Sequence, residues 1–178
     1  MGDIKFLILD VDGTLTDGGI YLSDEGKQYK KFNAKDGMGI RKAISQGIEV
    51  GIISHSYSSK MIDDRADMLG LKYVYVGQKP KLEVMDQWLI KLGLSRNEVA
   101  YMGDDINDIE VMKAVGGAAC PADSSAEVLK IAQRVMQKNG GAGAVREFID
   151  HHLLKSGLSI RSNDKQISSL RSFEFDPN

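Results

Sequence analysis

Residues 4–18 read IKFLILDVDGTLTDG, and this stretch decides the fold of the chain. It opens with an apolar run over residues 4–9, broken by a single lysine, which predicts a short strand buried on both faces, as in a parallel sheet. Two carboxylates, Asp10 and Asp12, follow directly after the run. Because open α/β sheets bind their ligands at the carboxyl ends of the strands, the sequence predicts an active site at this edge.

Two neighbouring carboxylates repel one another unless a cation or a shared proton relieves the repulsion. A hard divalent ion such as Mg²⁺ suits an all-oxygen set of ligands. An ordinary turn is the first alternative, because Asp and Gly are common turn residues. A calcium-binding loop is the second, and the sequence excludes it, since Thr14, Leu15 and Tyr21 occupy the positions that would need a third ligand, a glycine and a glutamate.

The rest of the chain alternates between apolar runs typical of strands and segments typical of helices. Strands are predicted over residues 48–53, 73–76, 99–102, 117–120 and 134–136. Helices are predicted from the Asp36 N-cap through Ser45, over 58–69, from Pro80 to Leu92, from the acids at 104–108 through Ala114, and over 124–132 and 145–154. This alternation predicts an α/β protein with a Rossmann-like parallel sheet and helices on both of its faces.

Residues 17–33 predict a β-hairpin, because two apolar segments flank a turn that carries Asp24 and Gly26. The position of this hairpin, directly after the first strand, predicts a flap over the active site. An edge hairpin that only packs against the sheet is the alternative. We expect no large cap domain, since no segment of the chain is long enough to form one.

Length and composition favour one domain, which we place over residues 1–155, followed by a polar C-terminal tail over 156–178. The net charge of -2 and the pI of about 5.9 give no sign of a basic face for nucleic acid. The single cysteine, Cys120, excludes an intrachain disulfide framework. No apolar run approaches the ~20 residues of a membrane span, and the N-terminus lacks a signal-peptide pattern, so we expect a cytoplasmic protein that does not enter a membrane.

A second acidic cluster, Gly103-Asp104-Asp105-Ile106-Asn107-Asp108, follows the strand predicted over 99–102. The beginning of a helix favours Asp through the helix dipole, and this alternative explains one or two of the acids. It does not explain four polar groups within five positions. Joined to the first pair of carboxylates at the same edge of the sheet, the cluster predicts a Mg²⁺ site.

Two further side chains are candidates for binding a phosphate. Lys81 lies in the first turn of a predicted helix, where a cation opposes the helix dipole, so helix propensity does not explain it. A solvated surface lysine is the alternative, since Lys79 lies close by. Ser54 ends the second predicted strand, where its hydroxyl could donate to a phosphoryl oxygen, although many strands end in serine. We interpret the neighbouring His55 as a loop histidine.

Asp10-Val11-Asp12-Gly13-Thr14 resembles the first motif of the haloacid dehalogenase-like phosphatases. The resemblance implies that Asp10 is the nucleophile and Asp12 the general acid and base. It also implies that Mg²⁺ is held by a carboxylate oxygen of Asp10, the backbone carbonyl of Asp12 and the carboxylate of Asp104. Asp105 and Asp108 would then act on the metal through water or through its direct ligands. Ser54 and Lys81 match the second and third motifs of the family.

Four more segments resemble one subfamily, the 3-deoxy-D-manno-octulosonate (KDO) 8-phosphate phosphatases and the related nonulosonate 9-phosphate phosphatases. The segments are Asp17-Gly18-Gly19, Lys31-Phe32-Asn33, Asp36-Gly37-Met38-Gly39-Ile40 and the glycine-rich 140–147. This resemblance implies a homotetramer without a large cap, in which a neighbouring subunit helps to close the site. The chain departs from many of these relatives after Ser54, where His55 and Ser56 replace a glycine and a charged residue and the loop before Arg65 is one residue longer.

The implied reaction is Mg²⁺-dependent hydrolysis of a small-molecule sugar-acid phosphate through an aspartyl phosphate, with KDO 8-phosphate as the expected substrate. Ser56, Arg65 and Arg146 are the expected substrate-binding residues, with both arginines directed at the substrate carboxylate. A surface or helix-stabilising ion pair is the alternative for each arginine. Other functions left open are a nonulosonate 9-phosphate phosphatase, a nucleic-acid 3'-phosphatase, and a non-catalytic domain that serves assembly with a cytidylyltransferase.

Overall fold

The computed structural model describes residues 3–57 and 59–154, and it confirms the predicted α/β fold. Eight strands occur in these segments: β1 Phe6–Leu9, β2 Tyr21–Leu22, β3 Gln28–Tyr29, β4 Glu49–Ser54, β5 Tyr73–Val76, β6 Val99–Met102, β7 Gly117–Cys120 and β8 Arg134–Val135. Six of them form one sheet in the order β5-β4-β1-β6-β7-β8, and every pair of neighbours is parallel.

Helices cover both faces of this sheet. Their bounds are α1 Ala34–Ser45, α2 Lys60–Leu69, α3 Lys81–Leu92, α4 Ile109–Ala114, α5 Ala126–Ile131 and α6 Ala144–Phe148, the last of which continues into a wider π-helical turn over Ile149–Leu153. Successive side chains of β1 point to opposite faces, so Leu7 and Leu9 pack with α1, α2 and α6, whereas Phe6 and Ile8 pack with α3, α4 and α5. All four β1 side chains are buried, which is why the strand reads as a continuous apolar run.

The strand register brings the candidate site together at one edge of the sheet. Leu9 pairs with Ile52 of β4 on one side and with Met102 of β6 on the other. The residues that follow these strands therefore emerge side by side, which places Asp10 between the loop after Ser54 and the acids that begin at Asp104.

The hairpin predicted over residues 17–33 is present. Its two short antiparallel strands, β2 and β3, pair Tyr21 with Tyr29, and a bridge between Thr16 and Phe32 closes its base. Beyond the base it projects from the sheet, with Ile20 and Leu22 strongly exposed.

Two helix starts differ from the prediction. The N-cap of α1 is Asn33, whose side chain accepts a hydrogen bond from the Lys35 backbone at 2.8 Å. Asp36, predicted as this N-cap, lies instead in the first turn, is buried, and accepts a hydrogen bond from the Arg146 backbone at 2.8 Å. The prediction was wrong because a capping residue was assigned by type alone, and tertiary contact recruited the aspartate for another element. Pro80 precedes the first residue of α3 instead of occupying it.

The polar C-terminal tail predicted over residues 156–178 lies outside the described residues. Across the described segments, no helix combines the length and the apolar character needed to cross a membrane.

Gly140 supports a prediction about how the glycine-rich loop packs. A Cβ atom added to it would lie 1.8 Å from the backbone oxygen of Gly13, so Gly140→Ala must push the loop away from the chain that follows β1. We expect the free energy of unfolding to fall by about 1–3 kcal/mol, as in other overpacked sites, measured by urea denaturation. Ala142→Ser, at an exposed position of the same loop, is the control and should be neutral. Equal stability of the two variants would contradict this packing.

Candidate active site

Lys81 lies between two carboxylates at the centre of the site. Its ammonium group is 2.7 Å from Oδ1 of Asp10 and 2.6 Å from Oδ1 of Asp108, and all three side chains are buried. The sequence predicted Lys81 as a candidate for binding a phosphate, and the structure places it beside Asp10. Lys81 is the first residue of α3, and its side chain reaches Asp10, which directly follows β1.

Asp108 organises the acidic loop, and its oxygens are fully used by the protein. Oδ1 accepts hydrogen bonds from Lys81 and from the hydroxyl of Tyr101, both at 2.6 Å. Oδ2 accepts from the backbone nitrogens of Asp104 at 3.0 Å and Asp105 at 3.2 Å. Because both oxygens are engaged, Asp108 fits a supporting role behind a bound metal ion better than direct ligation.

Asp104 completes a set of acids suited to a cation. One carboxylate oxygen from each of Asp10, Asp104 and Asp108 lies within 4.8 Å of the others. The Thr14 hydroxyl donates to Oδ1 of Asp104 at 2.9 Å, and Gly13 leaves room for this carboxylate, since a Cβ there would lie 2.0 Å from its Oδ2. The donors are hard oxygens and their negative charge exceeds that of one lysine, so the residues fit Mg²⁺.

The electrostatics of the site reflect this excess of negative charge. Burial, and then the charge of Asp108, raise the pKa of Asp10 well above its ordinary value, against the opposing effect of Lys81. Burial raises the pKa of Asp104 to about 6, although the hydrogen bond from Thr14 opposes the shift. Burial alone would lower the pKa of Lys81, but the charges of Asp10 and Asp108 outweigh it and raise that pKa. A bound divalent cation would relieve the repulsion among these carboxylates. Without the cation, a bound proton relieves it.

Asp12 lies outside the buried cluster and faces the flap. Its side chain forms an ion pair with Lys30, which follows β3 of the hairpin. Sequence reasoning missed Lys30 because a lysine beside a second lysine in a hairpin looks solvated. The available signal was the alternation of side chains along the strand, which sends Lys30 and Lys31 to opposite faces. Tyr101 was missed as well, because a tyrosine within an apolar strand looks like an ordinary core residue.

A cavity of about 320 Å³ opens between the flap and the edge of the sheet. The described residues that line it come from the loop after β1, the flap, the loop after β4 and the acidic loop: Asp10, Asp12, Gly18, Gly19, Ile20, Gln28, Tyr29, Lys30, Ser54, His55, Ser56, Tyr57, Asp105 and Asn107. The cavity is therefore lined by the candidate nucleophile Asp10, by the flap, and by His55 and Ser56, where the sequence differs from many relatives.

The loop after β4 is held by local hydrogen bonds. The hydroxyl oxygen of Ser54 accepts from the Ser56 backbone at 3.0 Å, which shapes the turn into the cavity. His55 Nε2 lies 2.9 Å from the carbonyl oxygen of Lys79, which can only accept, so this nitrogen carries the proton. His55 thus ties its loop to the segment that precedes α3.

The two arginines predicted to bind the substrate carboxylate lie elsewhere in the described protomer. Arg65 donates to the Asn33 carbonyl at 3.3 Å, and its guanidinium lies 5.7 Å from the centre of the Phe32 ring. Arg146 pairs with Asp150 at 2.5 Å, one helical turn further along. Neither lines the cavity among the described residues, so a direct role for either one remains a prediction that this arrangement does not favour.

The fold and the site together define a class of protein. A parallel sheet presents an Asp-x-Asp pair after its first strand, and a buried lysine and a further acidic loop converge on it. Residues 74–149 match the family model described as haloacid dehalogenase-like hydrolase. The chain belongs to this haloacid dehalogenase-like family.

Two curated phosphatases of this family are similar to the chain over most of its length. The chain is 43% identical over 155 residues to the 3-deoxy-D-manno-octulosonate 8-phosphate phosphatase of Escherichia coli K12, covering 87% of this chain and 82% of that protein. The corresponding phosphatase of Yersinia pestis is 42% identical over 165 residues, covering 89% and 88%.

Solved structures agree with these relatives. A 3-deoxy-D-manno-octulosonate 8-phosphate phosphatase from Moraxella catarrhalis, in complex with magnesium, phosphate and KDO, has a TM-score of 0.80 and 34% identity, covering 83% of this chain and 84% of that one. The cobalt-bound enzyme from Haemophilus influenzae has a TM-score of 0.79 and 33% identity, covering 83% and 86%.

The raised pKa of Asp104 predicts how Mg²⁺ changes the pH dependence of stability. In the folded, metal-free chain this carboxyl titrates at about 6, against 3.8 for the ordinary group, so the fold binds its proton more tightly than the unfolded chain does. The resulting stability is complete below pH 3.8 and is lost as the pH rises through about 6. With Mg²⁺ present the loss should be offset, because the cation replaces the proton.

Thermal unfolding of the wild type and of Asp104→Asn measures this effect. In EDTA, raising the pH from 4.5 to 7.5 should lower the melting temperature of the wild type by roughly 2–8 °C more than that of the variant. Mg²⁺ should remove most of that difference. The difference between the two proteins removes the contribution of titrating groups that do not contact Asp104, such as His152. Identical pH profiles in EDTA would contradict the assignment.

Proposed function

We propose that this chain is a Mg²⁺-dependent phosphatase that hydrolyses 3-deoxy-D-manno-octulosonate 8-phosphate to KDO and phosphate. The observation that carries the proposal is the buried Asp10, held by Lys81 beside Asp104 at the floor of the cavity. The relatives named above, at up to 43% identity over most of the chain, support the choice of reaction and substrate.

In the first step, a carboxylate oxygen of Asp10 attacks phosphorus and forms an aspartyl phosphate. The bond between phosphorus and the sugar oxygen breaks, and Asp12, which enters this step protonated, donates its proton to that oxygen and becomes a carboxylate. Lys81 and the Ser54 hydroxyl lie close enough to the edge of the sheet to stabilise the charge on the transferring group.

In the second step, Asp12 accepts a proton from a water molecule, which attacks the phosphorus of the aspartyl phosphate. Phosphate leaves and the Asp10 carboxylate is regenerated. Asp12 suits both steps because it lines the cavity and is partly exposed, whereas Asp10 is almost fully buried.

Asp10, Asp104 and the backbone carbonyl of Asp12 would hold Mg²⁺, with Asp105 and Asp108 supporting the site from behind. When bound, the ion withdraws charge from the phosphoryl oxygens. The chain contributes the geometry, since Thr14 fixes Asp104 and Tyr101 fixes Asp108.

Other functions are less well supported. A non-catalytic assembly domain has no need for the buried Lys81 between two acids, which is costly to maintain. A nucleic-acid 3'-phosphatase would need a path for a polyanion, and Lys30 is the only lysine or arginine among the described residues that line the cavity. A nonulosonate 9-phosphate phosphatase shares the chemistry and differs only in the sugar.

We further propose a homotetramer, as the sequence resemblance implied. Ile20 and Leu22 of the flap are 78% and 65% exposed, an apolar surface that a second copy of the chain could cover. Sedimentation velocity at micromolar concentration should give a tetramer, and the double variant Ile20→Ser/Leu22→Ser should shift it towards smaller species. A monomer with full activity would contradict the proposal. The cytoplasmic location expected from the sequence remains a prediction.

A substrate panel tests the proposed function. With Mg²⁺, kcat/KM for KDO 8-phosphate should exceed that for glucose 6-phosphate by at least about tenfold, because polar groups of the cavity match one sugar. Nonulosonate 9-phosphate separates the two sugar-acid alternatives. Asp10→Asn should lose roughly 10³-fold or more of the activity, since an amide is a poor nucleophile, whereas Asp86→Asn, at a partly exposed position of α3 that pairs with Arg96, serves as the control. Full activity in EDTA or in Asp10→Asn would contradict the function.

A further inference from the structure

Lys30 differs from the other lysines of the flap in its burial. Its side chain is 10% exposed, compared with 66% for Lys27 and 65% for Lys31 on the same hairpin. Lys27 pairs with Glu25 at the tip, and Lys31 pairs with Asp17 at the base, both on the outer surface. Lys30 instead extends inward and pairs with Asp12. A lysine is rarely buried without a specific partner, so this placement calls for an explanation.

The hairpin holds Lys30 in that position from two sides. Tyr21 and Tyr29 pair directly before it, and the Thr16–Phe32 bridge closes the hairpin directly after it. Asn33, three residues on, caps α1 and donates through its side chain to the Gly141 carbonyl at 3.1 Å. The ammonium group is thus delivered to the cavity by backbone pairing and not by a flexible loop.

We propose that Lys30 is a positioning residue that holds Oδ1 of Asp12, so that Oδ2 carries the proton that Asp12 donates to the leaving-group oxygen. The inference rests on the proposed phosphatase function, in which Asp12 donates a proton to that oxygen. Asp12 is partly exposed and lies at the flap side of the cavity, so its rotamer is not set by packing alone. The ion pair with Lys30 limits that freedom and couples the flap to the reacting atoms.

This role has a chemical signature that a merely structural role lacks. When the phosphoryl group is transferred to Asp10, the sugar oxygen must receive a proton from Asp12, because an alkoxide is a poor leaving group. A p-nitrophenolate leaves without a proton. A residue that positions Asp12 therefore affects kcat/KM for an alkyl phosphate far more than for p-nitrophenyl phosphate.

The experiment compares Lys30→Met, Lys30→Arg and the control Lys27→Met on both substrates with Mg²⁺. For Lys30→Met, kcat/KM should fall at least about tenfold on KDO 8-phosphate and less than about threefold on p-nitrophenyl phosphate. Lys30→Arg keeps the charge and should recover most of the loss. Lys27→Met should match the wild type on both substrates. Thermal unfolding of each variant checks that the hairpin substitutions leave the fold intact.

A double variant completes the test. Asp12→Asn/Lys30→Met should be no slower on KDO 8-phosphate than Asp12→Asn, because Lys30 acts through Asp12. Equal losses of Lys30→Met on both substrates, no loss on KDO 8-phosphate, or a further loss in the double variant would each overturn the proposal. A failure of the phosphatase function itself is distinguishable, since the wild type would then hydrolyse neither substrate.

Discussion

The active site depends on one buried ammonium group placed among three carboxylates. Lys81 contacts Asp10 and Asp108 directly, and Asp104 adds a third negative charge within a few ångströms. Removing charges from water is expensive unless each finds partners, and one lysine cannot balance three acids. The strand register and the acidic loop bring the three acids together, and α3 supplies the lysine. The excess of negative charge that results is balanced when a divalent cation binds. Cation binding and the position of the Asp10 carboxylate are therefore two aspects of the same constraint.

Two acids near this cluster differ in how firmly the protein holds them: Asp108 is held by several hydrogen bonds, and Asp12 is partly exposed to the cavity. Asp108 is saturated by Tyr101, Lys81 and two backbone amides, so it holds the acidic loop in one shape. Asp12, in contrast, is partly exposed and lines the cavity, which suits the proton transfers proposed for it. The two acids therefore differ in exposure and in the number of protein hydrogen bonds that hold them.

The sheet and its site edge could be predicted from sequence because they depend on local patterns. Each buried parallel strand reads as an apolar run, and parallel strands bring the residues that follow them to one edge, so Asp10, Ser54 and Asp104 were placed correctly without coordinates. Contacts that depend on how elements twist and pack were beyond that reasoning. The pairing of Lys30 with Asp12 needs the hairpin to fold back, and the buried Asp36 needs α6 to deliver the Arg146 backbone. The sequence analysis did not single out Lys30, and it assigned Asp36 to a helix cap by residue type alone.

The close packing of the glycine-rich loop on the chain after β1 has a consequence for biosynthesis. The Gly141 amide donates to the Thr14 carbonyl at 3.1 Å, and Gly140 lies directly against Gly13, so the segment that follows Asp10 is supported by residues more than a hundred positions later. During translation, the N-terminal motif leaves the ribosome long before these glycines are made. A nascent chain that ends before them lacks this support, which couples catalytic competence to synthesis of nearly the whole domain.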